Sequence, residues 1–304
     1  GMRRAKATAL GAALAIVIAG CNDASPLRKP AVAAEAPRPG AVATAAPGGT
    51  TTRAVRSADF TLTGEQTQGG WLRGTAPAGV VTLALDGQPV ALGPSGEFIV
   101  AFDRDAASLA RLVARLGDGG MVTRELVVSP RAWKIEHVGV GPRPGAAPSE
   151  EFQRRRAAEL ARINAARAIN APSDGWRQRF IWPVRGRLSG LFGSQRIYRG
   201  IPGSYHSGLD IATGESGTPF VAPADGVVIL AADSPFTLEG NLLMIDHGMG
   251  LNSAFLHSSQ LLVREGERVR QGQVIGRIGM TGRATGPHLH WSMKWNRARI
   301  DPLL

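Results

Sequence analysis

A single cysteine, Cys21, serves all 304 residues, so no intrachain disulfide can form in any compartment. Acidic residues are scarce too: 24 Asp and Glu stand against 35 Lys and Arg, giving a formal net charge of +11. Helix-turn-helix patterning, zinc-finger spacing and interleaved basic and aromatic residues are all missing. The positive charge therefore does not read as nucleic-acid binding. An anionic membrane surface or a charged polymer would attract the same charge, and part of the arginine simply solvates the surface. The apolar run at residues 7–19 is too short to span a bilayer comfortably and carries no stop-transfer flank.

That run does have a use. Arg3, Arg4 and Lys6 precede it, which is the layout of an export signal. It closes on Ile18-Ala19-Gly20-Cys21, which resembles the lipobox of bacterial lipoproteins. The expectation is a signal peptide over residues 1–20 and a lipidated Cys21 that anchors an exported chain to a membrane, facing the periplasm or cell wall. Residues 21–56 are rich in Ala, Pro, Gly and Thr and offer little apolar bulk to offset conformational entropy, so they read as a tether.

From about residue 57 the texture becomes short and alternating, as in Phe60-Thr61-Leu62-Thr63 and Phe98-Ile99-Val100-Ala101-Phe102, with Asp86-Gly87 as a hairpin signal. Residues 57–135 are expected to form a small immunoglobulin-like β-sandwich, although residues 106–115 also pass for a helix. With no cluster of titratable residues, this unit reads as a spacer or a binding module. Residues 136–175 read as linker and helix. Ser149 is the expected N-cap, Glu150 and Glu151 suit the first turn, and Arg154-Arg155-Arg156 reads as a solvated face. His137 is assigned no role.

Residues 176–304 are nearly free of helical periodicity and rich in glycine-bounded strands, the pattern of a compact antiparallel β-fold. The chain as a whole is expected to be mainly β. Five of its six histidines lie from residue 206 onward. His288 and His290 alternate in an apolar-flanked run, so a strand would send both imidazoles from one face. Two imidazoles and a carboxylate make a common ligand set for catalytic zinc, which keeps a fourth position for water.

The order of these pieces resembles the LytM/lysostaphin-like zinc metallopeptidases that cut peptidoglycan peptides. The resemblance runs from about Phe180 to the C-terminus. It is carried by Ser189-Gly190-Leu191-Phe192-Gly193, His206-x-Gly208-Leu209-Asp210, Gly217-Thr218-Pro219, Ala254-Phe255-Leu256-His257 and Gly286-Pro287-His288-Leu289-His290. By position it implies that His206, Asp210 and His290 ligate Zn2+, with His257 and His288 beside the metal as catalytic histidines. It further implies hydrolysis of amide bonds in cross-link or stem peptides by zinc-bound water. His247 reads as structural. The family usually has tyrosine where this chain has Phe255. Some relatives lose ligands and act instead as non-enzymatic regulators that bind cell wall and activate an amidase. The complete set of five residues here points to the enzyme.

Overall fold

A computed structural model describes residues 58–140, 148–232 and 234–304. The expected signal peptide, Cys21 and the tether lie outside the described residues. Among the described residues no helix is long and apolar enough to cross a membrane. The chain is mainly β, with many antiparallel sheets and one α-helix among the described residues.

The N-terminal unit has two sheets. One orders Thr61–Gly64, Trp71–Thr75 and Glu97–Ala101; the other orders Gln88–Val90, Val80–Leu85, Leu109–Leu116 and Met121–Val127. Asp86 and Gly87 both have positive φ, 48° and 79°, as a two-residue type I′ hairpin requires. The ambiguous stretch around residues 106–115 resolves as a strand. Ala110, Leu112 and Ala114 are buried while their neighbours are not, a period of two that a helix cannot provide. Leu112, Leu126 and Phe98 close the core, and Phe60 meets Phe98 edge-on at 6.1 Å.

The helix Glu150–Arg167 starts where its cap predicts: the Ser149 hydroxyl accepts the Phe152 N–H at 3.1 Å. Its buried positions are Arg156, Glu159, Ile163 and Ala166, a stripe at helical spacing that is half polar. Ile163 and Ala166 pack on Ile229, Leu242, Met244 and Ala254 of the C-terminal sheet. Arg156 is therefore not on a solvated face; it is buried against two carboxylates, which a reading of local charge could not reveal.

The C-terminal unit is built on an antiparallel sheet. Its order is Arg268–Val269, Gly226–Ala231, Asn241–Asp246, Leu251–Ser258, Leu289–Trp295, Leu209–Ala212 and Arg187–Gly190. A smaller sheet of Pro219–Val221, Val274–Arg277 and Gln260–Leu261 brings Phe220 against it. Phe220 stacks on Phe255 at 5.4 Å, and neither ring is exposed. Phe255 thus faces the core.

Two stretches outside the main sheets are ordered. Residues 194–204 contain a hairpin of Gln195–Tyr198 and Ile201–Pro202. At the expected start of the linker, Ile135–Val138 adds to that hairpin as a parallel strand, with His137 opposite Ile197. The N-terminal unit is docked elsewhere as well. Arg73 donates to the Trp176 carbonyl at 2.8 Å and to that of Gln178, and Arg131 pairs with buried Asp301 at 2.8 Å.

His247 shows what burial does to a histidine here. It is fully enclosed; Nδ1–H donates to the Asp225 carbonyl at 2.7 Å, and Nε2 accepts from the Ser253 hydroxyl at 2.8 Å. Burial, opposed by the Asp225 hydrogen bond and charge, lowers its pKa from 6.5 to about 4. The unfolded chain takes up this proton near pH 6.5, the folded chain only near pH 4. The stabilisation is full above pH 6.5 and is lost as pH falls to about 4; it amounts to about 3 kcal/mol. Thermal unfolding of the wild type should therefore weaken across that window more steeply than that of His247→Gln. Equal slopes would remove His247 as the cause.

Candidate metal centre and active site

Three strands bring the site together. In the register of the sheet Asp210 lies directly opposite His290, and His290 lies opposite Leu256, one residue before His257. Cross-strand neighbours on one face approach closely enough for their side chains to meet. The Asp210 carboxylate joins the set: Oδ1 is 2.8 Å from His290 Nδ1 and Oδ2 is 3.0 Å from His206 Nε2. His206 Nδ1–H donates to the Leu191 carbonyl at 3.1 Å, which leaves Nε2 for the carboxylate side. One donor atom from each of His206, Asp210 and His290 lies within 4.8 Å of the others.

The motif glycines are spacing devices. A Cβ on Gly190 would sit 2.4 Å from Asp210 Oδ2, and one on Gly208 would sit 2.6 Å from His290 Nε2. Any side chain at either position would push into the donor set.

His257 and His288 stand beside this group, with ring centroids 4.9 Å apart. His257 Nδ1–H donates to the Thr281 carbonyl at 2.8 Å, and His288 Nδ1–H to that of Gly286 at 2.9 Å. Both rings thereby keep Nε2 for the cleft chemistry. His288 precedes the Leu289–Trp295 strand and is held by an isolated bridge to Gly279. Its Nε2 is 3.7 Å from Asp210 Oδ1, so it shares a side with His290 without sharing its close contact. His247 is in the core and His137 is on the connector strand, so neither joins the group.

Electrostatics separates the roles. Burial works to raise the pKa of Asp210, but the hydrogen bonds and charges of His206 and His290 hold it well below the usual carboxylate range. Burial works to lower His206, yet its bonds to Asp210 leave it raised. The more deeply enclosed His290 stays lowered in spite of the same carboxylate. His257 is lowered to about 4, first by burial against the Thr281 hydrogen bond, then by the nearby His290 and His288. At neutral pH the site offers one anionic oxygen donor and imidazole nitrogens, with the His206 tautomer fixed by the Leu191 carbonyl. That chemistry fits a borderline cation such as Zn2+, and poorly fits Mg2+ or Ca2+, which prefer oxygen.

The group opens on a cleft of about 880 Å³. One wall is shared: Lys134 and Glu136 come from outside the C-terminal unit, and Tyr198 comes from the hairpin that the connector strand joins. The sequence gives little sign of the connector's part in this wall, because a four-residue strand that pairs across some sixty positions has no local signature. Arg283 and Thr285 line the cleft beside His288.

Residues 204–302 match the model of Peptidase family M23. This segment is a family M23 peptidase domain. Peptidoglycan DD-endopeptidase ShyA of Vibrio cholerae is 38% identical over 120 residues, which are 38% of this chain and 26% of that protein. Murein hydrolase activator NlpD of Salmonella dublin is 33% identical over 136 residues, 45% of this chain and 32% of that protein. The chain thus spans about a quarter to a third of these relatives' length. A crystal structure of a putative peptidase M23 from Pseudomonas aeruginosa superposes with a TM-score of 0.60 at 29% identity. The match covers 78% of this chain and 93% of that one, so the likeness extends well beyond the M23 domain.

Proposed function

We propose that the chain is a zinc-dependent endopeptidase that hydrolyses amide bonds in peptidoglycan cross-link or stem peptides. The observation that carries this reading is the completeness of the constellation: Asp210 bridges His206 and His290, with His257 and His288 fixed alongside. His206 Nε2, Asp210 and His290 Nδ1 would hold the metal. When bound there, zinc supplies a Lewis acid that polarises the scissile carbonyl and acidifies water.

The chain's own residues do the rest. His257, kept neutral by burial, presents Nε2 as a proton acceptor. His288 presents Nε2 from the Asp210 side. A proton taken up at either imidazole can be returned to the leaving amine, which must be protonated to depart. The side chains of Lys134 and Arg283 line the cleft with no ion pair among the described residues. Two unpaired cations suit a substrate that carries carboxylates, as stem peptides do, better than a neutral glycine bridge.

The likeness to NlpD, named as a murein hydrolase activator, supports a second reading in which the chain binds wall and activates an amidase. The two separate in one experiment, digestion of purified sacculi by the zinc-loaded protein with mass analysis of the released muropeptides. Conversion of cross-linked dimers to monomers, abolished by a chelator, is the expected result. No peptide cleavage, together with stimulation of an added amidase, would establish the activator instead.

A further inference from the structure

The helix Glu150–Arg167 precedes the segment that matches family M23, yet it grips the loop behind His257. Arg156 pairs with Glu239 in a two-pronged contact, Nη1–Oε2 2.7 Å and Nη2–Oε1 2.8 Å. Both side chains are less than a tenth exposed, at 8% and 7%. Arg156 Nη1 also donates to Glu159 at 3.2 Å, and Glu159 Oε1 accepts both the N–H and the hydroxyl of Thr237 at 2.7 Å. Arg155 donates to the Pro235 carbonyl at 2.6 Å. One face of the helix thus holds positions 235, 237 and 239 in turn.

The same loop holds His257. The Glu239 carbonyl accepts the His257 N–H at 2.8 Å. Gly240 lies so tightly on Thr281 that a Cβ there would sit 2.3 Å from the Thr281 hydroxyl. Thr281 is the residue whose carbonyl accepts the His257 ring N–H. His257 itself sits at φ +65°, in the left-handed region, which a side chain of this size keeps only where its surroundings over-determine it.

We infer that Arg156 is a positioning residue for His257, so the connector helix is a working part of the active site. The chain of contacts runs from Arg156 to the Glu239 carboxylate, through the backbone carbonyl of Glu239 to the His257 N–H. From the same loop it runs through Thr281 to the imidazole. A buried ion pair adds little net stability compared with apolar side chains of similar volume. A two-pronged guanidinium–carboxylate contact does fix orientation. That combination marks a device for placing the loop. The inference rests on the catalytic reading of His257, so its test includes a measurement that needs no turnover.

The experiment compares full-length wild type with the double variant Arg156→Met/Glu239→Leu, which replaces the pair by apolar side chains and is expected to stay folded. Its zinc content should match wild type, while kcat for wall-peptide cleavage falls ~10- to 100-fold with KM nearly unchanged, the scale of a small misplacement of a reacting group. In long-range 1H–15N spectra the single Nδ1–H tautomer of His257 should give way to a mixture. Arg156→Lys keeps the charge but loses the fork; it should fall between and serves if the double variant does not fold. Arg154→Ala, on the exposed side of the helix, should behave as wild type. Wild-type kcat together with an unchanged His257 signal in the folded variants would overturn the inference. If the wild type proves not to cleave wall peptides, the enzyme reading fails, and the His257 spectra alone decide whether Arg156 positions the ring.

Discussion

Replacing His290 with alanine is expected to empty the metal site and end wall-peptide cleavage with it. His290 is the most enclosed of the three donors, only 9% exposed. It faces Asp210 across the sheet, with Nδ1 2.8 Å from Oδ1. Its loss leaves one nitrogen and one carboxylate, fewer than the three protein ligands found in catalytic zinc sites. It also removes one of the two hydrogen bonds that keep the Asp210 carboxylate ionised. Elemental analysis after dialysis should show about one zinc per wild-type chain, as a single three-ligand site would hold, and close to none in the variant. His290→Gln keeps most of the side-chain volume and should behave alike, which separates lost ligation from a core cavity. Full zinc with full activity in either variant would refute the assignment.

The grouping of His206, Asp210 and His290 was expected from the family resemblance, whose motifs are each local. His206 and Asp210 lie four residues apart with Gly208 between them, and His288 and His290 lie two apart. The hairpin at Asp86-Gly87 was legible for the same reason: both positions need positive φ, and the dipeptide announces it. What escaped was long-range pairing. Arg156 reads as one of three exposed arginines until the fold brings Glu239 to it from 83 positions away. Residues 136–138 read as the start of a linker because a parallel partner at 195–198 is invisible to alternation alone. Residues 106–115 satisfied both helix and strand patterns, since Ala, Leu and Arg suit either, and only burial of Ala110, Leu112 and Ala114 against the opposite sheet decides.

These long-range contacts bear on what belongs to the candidate site. The M23 segment contributes the five histidine and aspartate side chains. One cleft wall comes from Lys134 and Glu136, and the support of the His257 loop comes from Arg156, all of them outside residues 204–302. A cleft with walls drawn from two units is shaped by their docking. The Ile135–Val138 strand, which carries Glu136, and the contacts of Arg73 and Arg131 are among those that join the two units.

Alanine at His257 or at His288 should have the opposite metal signature from His290→Ala: zinc retained, turnover lost. His257 makes no contact with the Asp210 carboxylate among the described residues, and His288 Nε2 stays 3.7 Å from it, beyond a hydrogen bond. Each ring is tied instead to a backbone carbonyl through Nδ1, Thr281 for His257 and Gly286 for His288. Removing either ring therefore leaves His206, Asp210 and His290 with their mutual contacts. What disappears is a proton acceptor and donor at the reacting bond, worth a factor on the order of 10²–10⁴ in rate. If the two imidazoles act as one unit, the double variant should lose little more than either single variant, because effects within a unit are not additive. The measurement pairs zinc content with kcat for a defined cross-linked muropeptide in the three variants. Loss of zinc from His288→Ala would show that His288 is a ligand and that its role and that of His290 are exchanged.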